Sequence, residues 1–397
     1  MSEDATERTR EAVVLDSSFL DPNLPSKKRS DGDVYADFDS NLDPVLIILN
    51  HNLPRLTAAL WRRARLVVVA DGGADRLLEA SSGWEEAFGS LPSSSSRRRP
   101  PRRSGDDGGG TPSSLPLRSS FLPDFIVGDL DSISPQARLH FGSLGVPIVD
   151  LSTDQDSTDL QKCLGFAAAE VEKQQKERGS LSSPPPSSST SSSSPSLPAS
   201  PSAPPVFVAG ALGGRLDHSL SAISTLYAID AARRRKEGGE EEEEGKREEE
   251  EEEGFAAAAA RSLGDVVLSG DGSLARLVPA SCSSSSELCS SETSKVTTTA
   301  TAILPCAAVE GPGCGLVALG AAARGVETSG LEWNLSLPAG KGRTRKGGAA
   351  EEGEGGSPAL EMGGLQSTSN SILEGGRVTV TSTAPLLWTT TLREEWR

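Results

Sequence analysis

The chain has 397 residues, of which only 4% are aromatic, and its Ser, Gly, Pro and Glu residues are concentrated in blocks, so much of its length cannot contribute to a packed core. The formal net charge of −17 comes mostly from the glutamate runs at 240–244 and 248–253, which indicate a solvated insert and not the character of a binding surface. No apolar run reaches the ~20 residues that span a bilayer, and the arginine cluster at 97–103 lies in a Ser/Pro/Gly stretch, so neither a membrane nor a nucleic-acid partner is expected.

The first 44 residues are polar and carry no periodic apolar pattern. Such a segment buries too little apolar surface to order itself, so we predict that residues 1–44 are disordered. Acidic residues near the start are not typical of a signal or transit peptide. With five cysteines, an odd number, and no CxxC pair, the sequence favours a cytoplasmic protein with reduced thiols.

Apolar runs alternate with helical stretches from residue 45 to residue 235. The runs that predict strands are 45–49, 66–69, 125–127, 146–149 and 206–208, and the stretches that predict helices are 56–65, 76–79, 135–141, 158–173 and 219–232. This alternation is typical of an α/β domain with an open, Rossmann-like parallel sheet, which binds ligands beyond the carboxyl ends of its strands. Two long low-complexity inserts, at about 88–119 and 177–205, interrupt the pattern.

An acidic linker is predicted over 236–263, and the pattern of apolar residues changes after it. Short and often alternating apolar segments follow, at 266–268, 274–278, 315–319, 326–335 and 378–381, with glycines between them. They predict an all-β sandwich domain over 264–397, with inserts at about 281–305 and 338–362.

Four acidic motifs lie at or near predicted strand ends of the α/β domain. They occupy residues 70–75, 128–132, 154–159 and 213–218. Carboxylates gathered at the ends of parallel strands are suited to a Mg²⁺-bound polyphosphate. The chain is therefore an enzyme candidate.

The strongest of these motifs contains Asp129 and Asp131. Two carboxylates at i and i+2 on an extended segment point to the same side and can share one hard cation. The alternative is a capped turn before Ser134. In the first motif, Gly72 and Gly73 follow Asp71 and would let backbone N–H groups approach a phosphate, although Asp-Gly is also an ordinary turn.

Two other motifs carry polar groups next to a helix start. Asp159 lies in the first turn of a predicted helix, where an acidic side chain also simply favours the helix dipole. Arg215 follows a glycine turn and could stabilise phosphoryl charge, or could form a structural pair with Asp217. In the β domain, Trp333 could stack on a flat heteroaromatic cation or could pack in the core.

Taken together and in order, these segments resemble the eukaryotic thiamine pyrophosphokinase family. The matching segments include ADGGADRL at 70–77, LPDFIVGDLDSISP at 122–135, STDQDSTDLQKCL at 152–164, LGGRLDH at 212–218, TSGLEWNL at 328–335 and STSN at 367–370. They cover roughly half of the chain, and most of the remainder is low in complexity. The resemblance implies transfer of pyrophosphate from ATP to the thiamine hydroxyl, which gives thiamine diphosphate and AMP.

The resemblance also implies roles for individual residues and a homodimer. The metal and phosphate site would consist of Asp71, Asp129, Asp131 and Asp159, with Gly72 and Gly73 at the phosphates and Arg215 and Asp217 beside the ATP pocket. Gln155 would lie beside thiamine, and Trp333, Ser369 and Asn370 would line its pocket from the partner subunit. Asp159 or Asp156 could accept the hydroxyl proton.

The chain departs from the family pattern at three positions. Asp75 stands where the family often has Asn, Ser157 where animal members have His, and His218 where they have Gln. These departures bear on the fine geometry of the substrate site and leave the carboxylate set intact. Two alternatives stay open: a thiamine-binding protein without catalysis, and a pyrophosphokinase of another hydroxylated heterocycle such as a pterin. The four aspartates favour catalysis, and the segments around Trp333 and Asn370 favour thiamine.

Overall fold

The computed structural model describes residues 11–24, 43–88, 121–181, 203–237, 254–281, 283–284, 297–339 and 358–397. They belong to two compact units. We call one the α/β unit (described residues within 43–214, and 254–264) and the other the β-rich unit (11–24, 215–237 and 265–397). The greater part of each predicted low-complexity insert lies outside the described residues.

The helices of the described residues are α1 (Arg55–Trp61), α2 (Gly73–Phe88), α3 (Pro135–Ser143), α4 (Asp159–Leu181), α5 (Leu216–Glu237) and α6 (Phe255–Ser262), with short 3₁₀ turns at Ser18–Leu20 and Glu394–Trp396. None of the helices in this part of the chain is long and apolar enough to cross a membrane.

The strands are β1 (Glu11–Asp16), β2 (Val45–Ile48), β3 (Leu66–Ala70), β4 (Phe125–Gly128), β5 (Ile148–Asp150), β6 (Val206–Ala209), β7 (Val266–Gly270), β8 (Ser273–Val278), β9 (Ser283–Ser284), β10 (Thr297–Thr298), β11 (Ala300–Leu304), β12 (Glu310–Val317), β13 (Glu327–Ser329), β14 (Ser367–Ser371), β15 (Val378–Thr381) and β16 (Leu386–Leu392).

The α/β unit contains five parallel strands in the order β6-β2-β3-β4-β5. β2, β3 and β6 are buried along their whole length, which explains their uninterrupted apolar sequences, since a strand covered on both faces needs no polar alternation. The predicted parallel sheet is therefore present. Because all five strands run in the same direction, their carboxyl ends lie at one edge of the sheet.

α4 begins where the third acidic motif ends. Thr158 and Gln161 cap it reciprocally: the N–H of Thr158 donates to Gln161 Oε1 at 2.9 Å, and the N–H of Gln161 donates to Thr158 Oγ1 at 3.4 Å. The helix packs against β3 and β4. Its buried residues include Leu160, Cys163, Leu164 and Ala167. This packing places the first turn of α4 at the carboxyl edge of the sheet.

The β-rich unit contains two sheets with a shared core. One sheet has the order β1-β11-β15-β13, and the other contains the antiparallel strands β7-β8-β16-β12-β14. Buried side chains from both sheets form one cluster, among them Leu15, Ile303 and Val380 from the first and Leu316 and Trp388 from the second. Two sheets that bury their inner faces against each other agree with the predicted β domain.

The N-terminal prediction was wrong for residues 11–24. β1 pairs in parallel with β11, and Phe19 and Leu20 behind it are buried. The partner that satisfies the backbone hydrogen bonds of β1 lies far away in the sequence, so a local pattern could not reveal it. β11 itself falls in the predicted 281–305 insert, because the threonine run before it, at 297–299, resembles low complexity although Thr is a good strand former.

Two domain boundaries also differ from the predicted ones. α6 lies within the predicted 236–263 linker yet belongs to the α/β unit, where Arg261 on α6 pairs with Glu172 on α4 at 3.1 Å. The glutamate runs before α6 dominate the composition of 236–263, so this short alanine-rich helix was not predicted. α5 belongs to the β-rich unit and not to the α/β domain, so the unit is not all-β.

Two smaller predictions also differ from the structure, and a strand near the C-terminus was missed. The predicted strand at 326–335 is a strand only over Glu327–Ser329, since Gly330 adopts φ +81° and turns the chain. β16 was not predicted. α4 extends to Leu181, so the insert predicted at 177–205 begins later.

Candidate active site

Asp71 lies immediately after β3 and is 0% exposed. Its Oδ1 accepts a hydrogen bond from the N–H of Gly72 at 2.7 Å, and its Oδ2 accepts one from the N–H of Ser132 at 3.2 Å. Burial raises the pKa of Asp71 above its ordinary value, and the charges of Asp129 and Asp131 add to this, against the lowering effect of the two N–H groups. The carboxyl group is therefore held in one orientation.

Glycines make this close approach possible. A Cβ atom on Gly128 would lie 2.8 Å from Asp71 Cγ, so any larger residue at the end of β4 would displace that carboxylate. A Cβ atom on Gly73 would lie 2.5 Å from the carbonyl oxygen of Ile48 at the end of β2. Gly72 and Gly73 thus lie at the carboxyl edge of the sheet, as predicted. The tight packing between strand ends explains why residues without a side chain occur there.

The loop after β4 does not have the extended shape that was predicted for it. Leu130 adopts φ +67°, the left-handed region that a residue with a Cβ rarely occupies. This turn sets the N–H of Asp131 3.4 Å from Asp129 Oδ1, and Ser132 Oγ donates to Asp131 Oδ1 at 2.8 Å. The two carboxylates are therefore brought together by a strained turn, which is common at functional sites.

Three of the four predicted aspartates form one group. Asp71, Asp129 and Asp131 each offer a carboxylate oxygen, and these oxygens lie within 4.8 Å of one another. They range from buried Asp71 to exposed Asp131, so the group opens towards solvent. A set of carboxylate oxygens with an open side fits Mg²⁺, which binds one or two carboxylates and completes its shell with water and substrate phosphates.

Asp159 lies close to this group but outside it. As the first residue of α4 it is half-buried, and burial together with the negative charges of Asp71 and Asp129 raises its pKa to about 6. A carboxylate with such a pKa is well suited to accept a proton near neutral pH. Because Asp159 is not one of the three grouped aspartates, its predicted role as a metal ligand stays a prediction.

Lys162 is a site residue that the sequence reasoning missed. Its Nζ lies 3.0 Å from Asp129 Oδ2, and its side chain is 2% exposed. This hydrogen bond is the main reason why the pKa of Asp129 lies below its ordinary value. The available signal was helical spacing, since Lys162 follows Asp159 by three residues and shares its helix face.

Asp75, one of the departures from the family pattern, anchors the same loop. Its Oδ2 accepts a hydrogen bond from the N–H of Ser134 at 2.9 Å, and its Oδ1 accepts one from Ser134 Oγ. Ser134 is also the N-cap of α3, where its Oγ accepts from the N–H of Ala137. Asp75 therefore fixes the end of the loop that carries Asp129 and Asp131.

Gln155 lies in the exposed loop between β5 and α4. Its Nε2 donates to the carbonyl oxygen of Ser152 at 2.6 Å. Asp154 Oδ1 accepts hydrogen bonds from the N–H groups of Asp156 and Ser157, at 3.2 and 3.0 Å, and so shapes the turn. Asp156 itself is exposed.

In the β-rich unit, the three residues predicted beside thiamine lie together. Trp333 is 58% exposed, so the core-packing alternative is wrong. The buried Asn370 holds its backbone: Asn370 Oδ1 accepts from the N–H of Trp333 at 3.2 Å, and Asn370 Nδ2 donates to its carbonyl oxygen at 2.8 Å. Ser369, next to Asn370, is exposed and adopts φ +58°. The β-rich unit thus presents an aromatic ring to solvent on a backbone segment that Asn370 holds.

Arg215 and Asp217 form the structural pair that was one alternative for this motif. Arg215 Nε and Nη2 donate to the two Asp217 oxygens at 3.1 and 2.5 Å. Both side chains are exposed. Because exposed pairs contribute little to stability, the pair does not explain why the motif is present.

Two family models match the chain. Residues 57–236 match the model "Thiamin pyrophosphokinase, catalytic domain", and residues 301–387 match "Thiamin pyrophosphokinase, vitamin B1 binding domain". The first match contains the acidic group, and the second contains Trp333.

Similar proteins bear the same description. Thiamine pyrophosphokinase 2 of Oryza sativa subsp. japonica is 28% identical over 386 residues, which cover 97% of each chain. Thiamine pyrophosphokinase 1 of Arabidopsis thaliana is 26% identical over 384 residues, which cover 97% of this chain and 95% of that protein. The yeast thiamin pyrophosphokinase structure has a similar fold, with a TM-score of 0.56 at 16% identity over 100% of this chain and 95% of that one.

Proposed function

The chain belongs to the thiamine pyrophosphokinase family and is an enzyme of that type, and from that premise we propose that pyrophosphate passes from ATP to the thiamine hydroxyl at the carboxyl edge of the parallel sheet. The observation that carries this proposal is the convergence of Asp71, Asp129 and Asp131, whose oxygens lie within 4.8 Å of one another.

We propose that these three carboxylates hold Mg²⁺ together with the polyphosphate of ATP. The bound ion supplies neutralisation of negative charge on the phosphate oxygens. The protein contributes a donor set that is fixed before the substrate arrives, because Asp71 is buried and hydrogen-bonded and Asp75 anchors the loop of the other two. Such fixed positioning is the main source of catalysis in phosphoryl transfer.

In the chemical step, the thiamine hydroxyl oxygen forms a bond to the β-phosphorus of ATP. The bond between the β-phosphorus and the oxygen that bridges to the α-phosphorus breaks, and AMP leaves with that oxygen. The hydroxyl proton passes to Asp159. A half-buried position beside the acidic group and a pKa of about 6 support Asp159 over the exposed Asp156 in this role.

The remaining predicted residues would bind the two substrates. Arg215 and Asp217 would lie beside ATP, where the guanidinium can exchange its partner for a phosphate oxygen. Trp333 and Ser369 would contact thiamine, with Asn370 holding the tryptophan in place, and Gln155 would contact it from the loop before α4. We propose that the thiamine-binding residues come from the partner subunit of a homodimer.

The proposal also includes finer points of the architecture. The sheet of the α/β unit would bind its ligands beyond the carboxyl ends of its strands, as Rossmann-like sheets do. The low-complexity segments would be inserts without a catalytic role, and the enzyme would act in the cytoplasm.

The function is tested by following phosphorus signals while the protein is incubated with ATP, thiamine and Mg²⁺. We expect AMP and thiamine diphosphate to form in equal amounts, and neither to form when thiamine is omitted. Thiamine binding without AMP release would favour the non-catalytic alternative. Faster AMP release with a hydroxymethyl pterin than with thiamine would favour the other-heterocycle alternative.

Replacing Trp333 with Ala is expected to raise the KM for thiamine about tenfold or more, because a cationic heteroaromatic ring loses its stacking partner. The kcat should change less than about threefold, and the melting temperature should stay unchanged since the ring is exposed. Trp333→Phe, which keeps a ring, is the matched control. An unchanged KM in Trp333→Ala would place thiamine elsewhere.

A further inference from the structure

Lys162 is a buried cation at the edge of the acidic group. Its side chain is 2% exposed, and its Nζ lies 3.0 Å from Asp129 Oδ2. It projects from α4 one turn beyond Asp159, on the helix that packs against β3 and β4. The ammonium group therefore lies beside the carboxylates that the proposed function assigns to Mg²⁺.

A buried ammonium group is retained only where negative charge compensates it. The ion pair between Lys162 Nζ and Asp129 Oδ2 provides this compensation. A fixed positive charge next to three converging carboxylates resembles, in its electrostatic effect, a bound monovalent cation.

This charge has two opposite effects on a divalent cation. The hydrogen bond of Lys162 holds Asp129 Oδ2, and its charge offsets part of the repulsion between Asp129 and the two neighbouring carboxylates. It also repels any further cation and occupies one oxygen of Asp129, which weakens the binding of a bare metal ion. An ion that arrives with a polyphosphate is affected less, because the phosphate oxygens bring compensating negative charge and further ligands.

We propose that Lys162 is a positioning residue which acts as a built-in counter-cation: it holds Asp129 in place and makes the site select a metal-nucleotide complex over the free metal ion. This inference rests on the proposed Mg²⁺ site. On this inference, Lys162 on α4 causes the site to prefer the metal-nucleotide complex.

The test is the binding of free Mn²⁺, measured by electron paramagnetic resonance without nucleotide. Lys162→Met should bind Mn²⁺ about tenfold more tightly than the wild-type protein, because a repelling unit charge has been removed and the ion itself can hold the released oxygen of Asp129. Lys162→Arg, which keeps the charge, should stay within about threefold of the wild type. A lysine with a purely structural role would give equal or weaker binding in Lys162→Met, and that result would overturn the proposal.

A steady-state measurement accompanies the titration. Lys162→Met should raise the KM for the Mg²⁺·ATP complex and lower kcat about tenfold or more, since Asp129 is no longer held in place. Tighter binding of the bare ion together with poorer use of the nucleotide complex is the combination that the proposal requires. Improved binding of both would overturn it.

Folding of the variants is followed by circular dichroism. If Lys162→Met and Lys162→Gln fail to fold without metal, added Mn²⁺ should restore their fold, because the ion replaces the lost charge; failure of Mn²⁺ to do so would overturn the proposal. Asp131→Asn separates this inference from the function. If the wild type binds Mn²⁺ no better than Asp131→Asn, the metal site itself is refuted, whereas a working wild-type site with unchanged affinity in Lys162→Met refutes only the role of the lysine.

Discussion

Asp131→Asn is expected to lower kcat for thiamine-dependent AMP release about 100- to 1,000-fold, since it removes one of three converging charges that would hold Mg²⁺. The melting temperature without metal should change by less than about 2 °C, because Asp131 is exposed and a surface substitution costs little. The measurements are steady-state kinetics and calorimetry in the presence of a chelator.

Asp150→Asn is the matched control for this variant. Asp150 is an exposed carboxylate at the end of the neighbouring strand β5, and it contacts the N–H of Ser152. It should retain kcat within about threefold, because Asp150 is exposed and does not belong to the three-carboxylate group although it lies at the same edge of the sheet. Full activity in Asp131→Asn would contradict the assignment of the acidic group to the metal.

Asp129 gives a less clean test than Asp131. Its replacement by Asn would leave the buried ammonium of Lys162 without a charged partner, and an uncompensated buried charge is destabilising. A loss of activity in Asp129→Asn would therefore mix a loss of metal binding with a loss of folding stability.

Asp159→Asn is expected to lower kcat about 100- to 10,000-fold, because the thiamine hydroxyl loses its proton acceptor. The affinity for Mn²⁺ should fall less than it does in Asp131→Asn, since Asp159 lies outside the three-oxygen group and contributes only its nearby charge. Asp156→Asn, which changes an exposed carboxylate in the same motif, should retain most of the activity. Kinetics and metal titration together distinguish a base from a ligand.

The same variant carries a pH signature in stability. The folded-state pKa of Asp159 is raised from 3.8 to about 6, so its ionisation destabilises the fold. The penalty is absent well below the ordinary pKa of 3.8, where the group is protonated in both states, grows as the pH rises, and is fully present above about pH 6. Without metal, Asp159→Asn should therefore melt higher than the wild type at pH 7.5, and the difference should become small at pH 4. Loss of Mn²⁺ binding in this variant would instead make Asp159 a ligand.

The parallel sheet and the place of the acidic residues could be predicted because both follow from local pattern. A strand such as Leu66–Ala70 is uninterrupted in its apolar character, and Asp71 follows it directly, so its position at the edge needs only the topology of parallel strands. The same reasoning placed Asp129 after Phe125–Gly128 and brought the two carboxylates together.

The remaining features of the site depend on contacts that local pattern does not encode. Asp129 and Lys162 meet because α4 packs across the sheet, and Asp75 meets Ser134 because the first turn of α2 lies beside the N-cap of α3. The left-handed conformation of Leu130 has no sequence signal, since a glycine or asparagine would be expected there.

The N-terminal strand and Trp333 show the same limit. Glu11–Asp16 forms a strand by pairing with β11, which lies far away in the sequence. The backbone of Trp333 is held by hydrogen bonds to Asn370, 37 residues later, and such a contact cannot be read from composition.

The most direct test of the account is the anomalous signal of Mn²⁺ in crystals grown with thiamine and a non-hydrolysable ATP analogue. We predict one Mn²⁺ ion bound by carboxylate oxygens of Asp71, Asp129 and Asp131 and by phosphate oxygens of the nucleotide, with distances of about 2.1–2.2 Å. A metal ion that binds the nucleotide but none of these three residues would contradict the account.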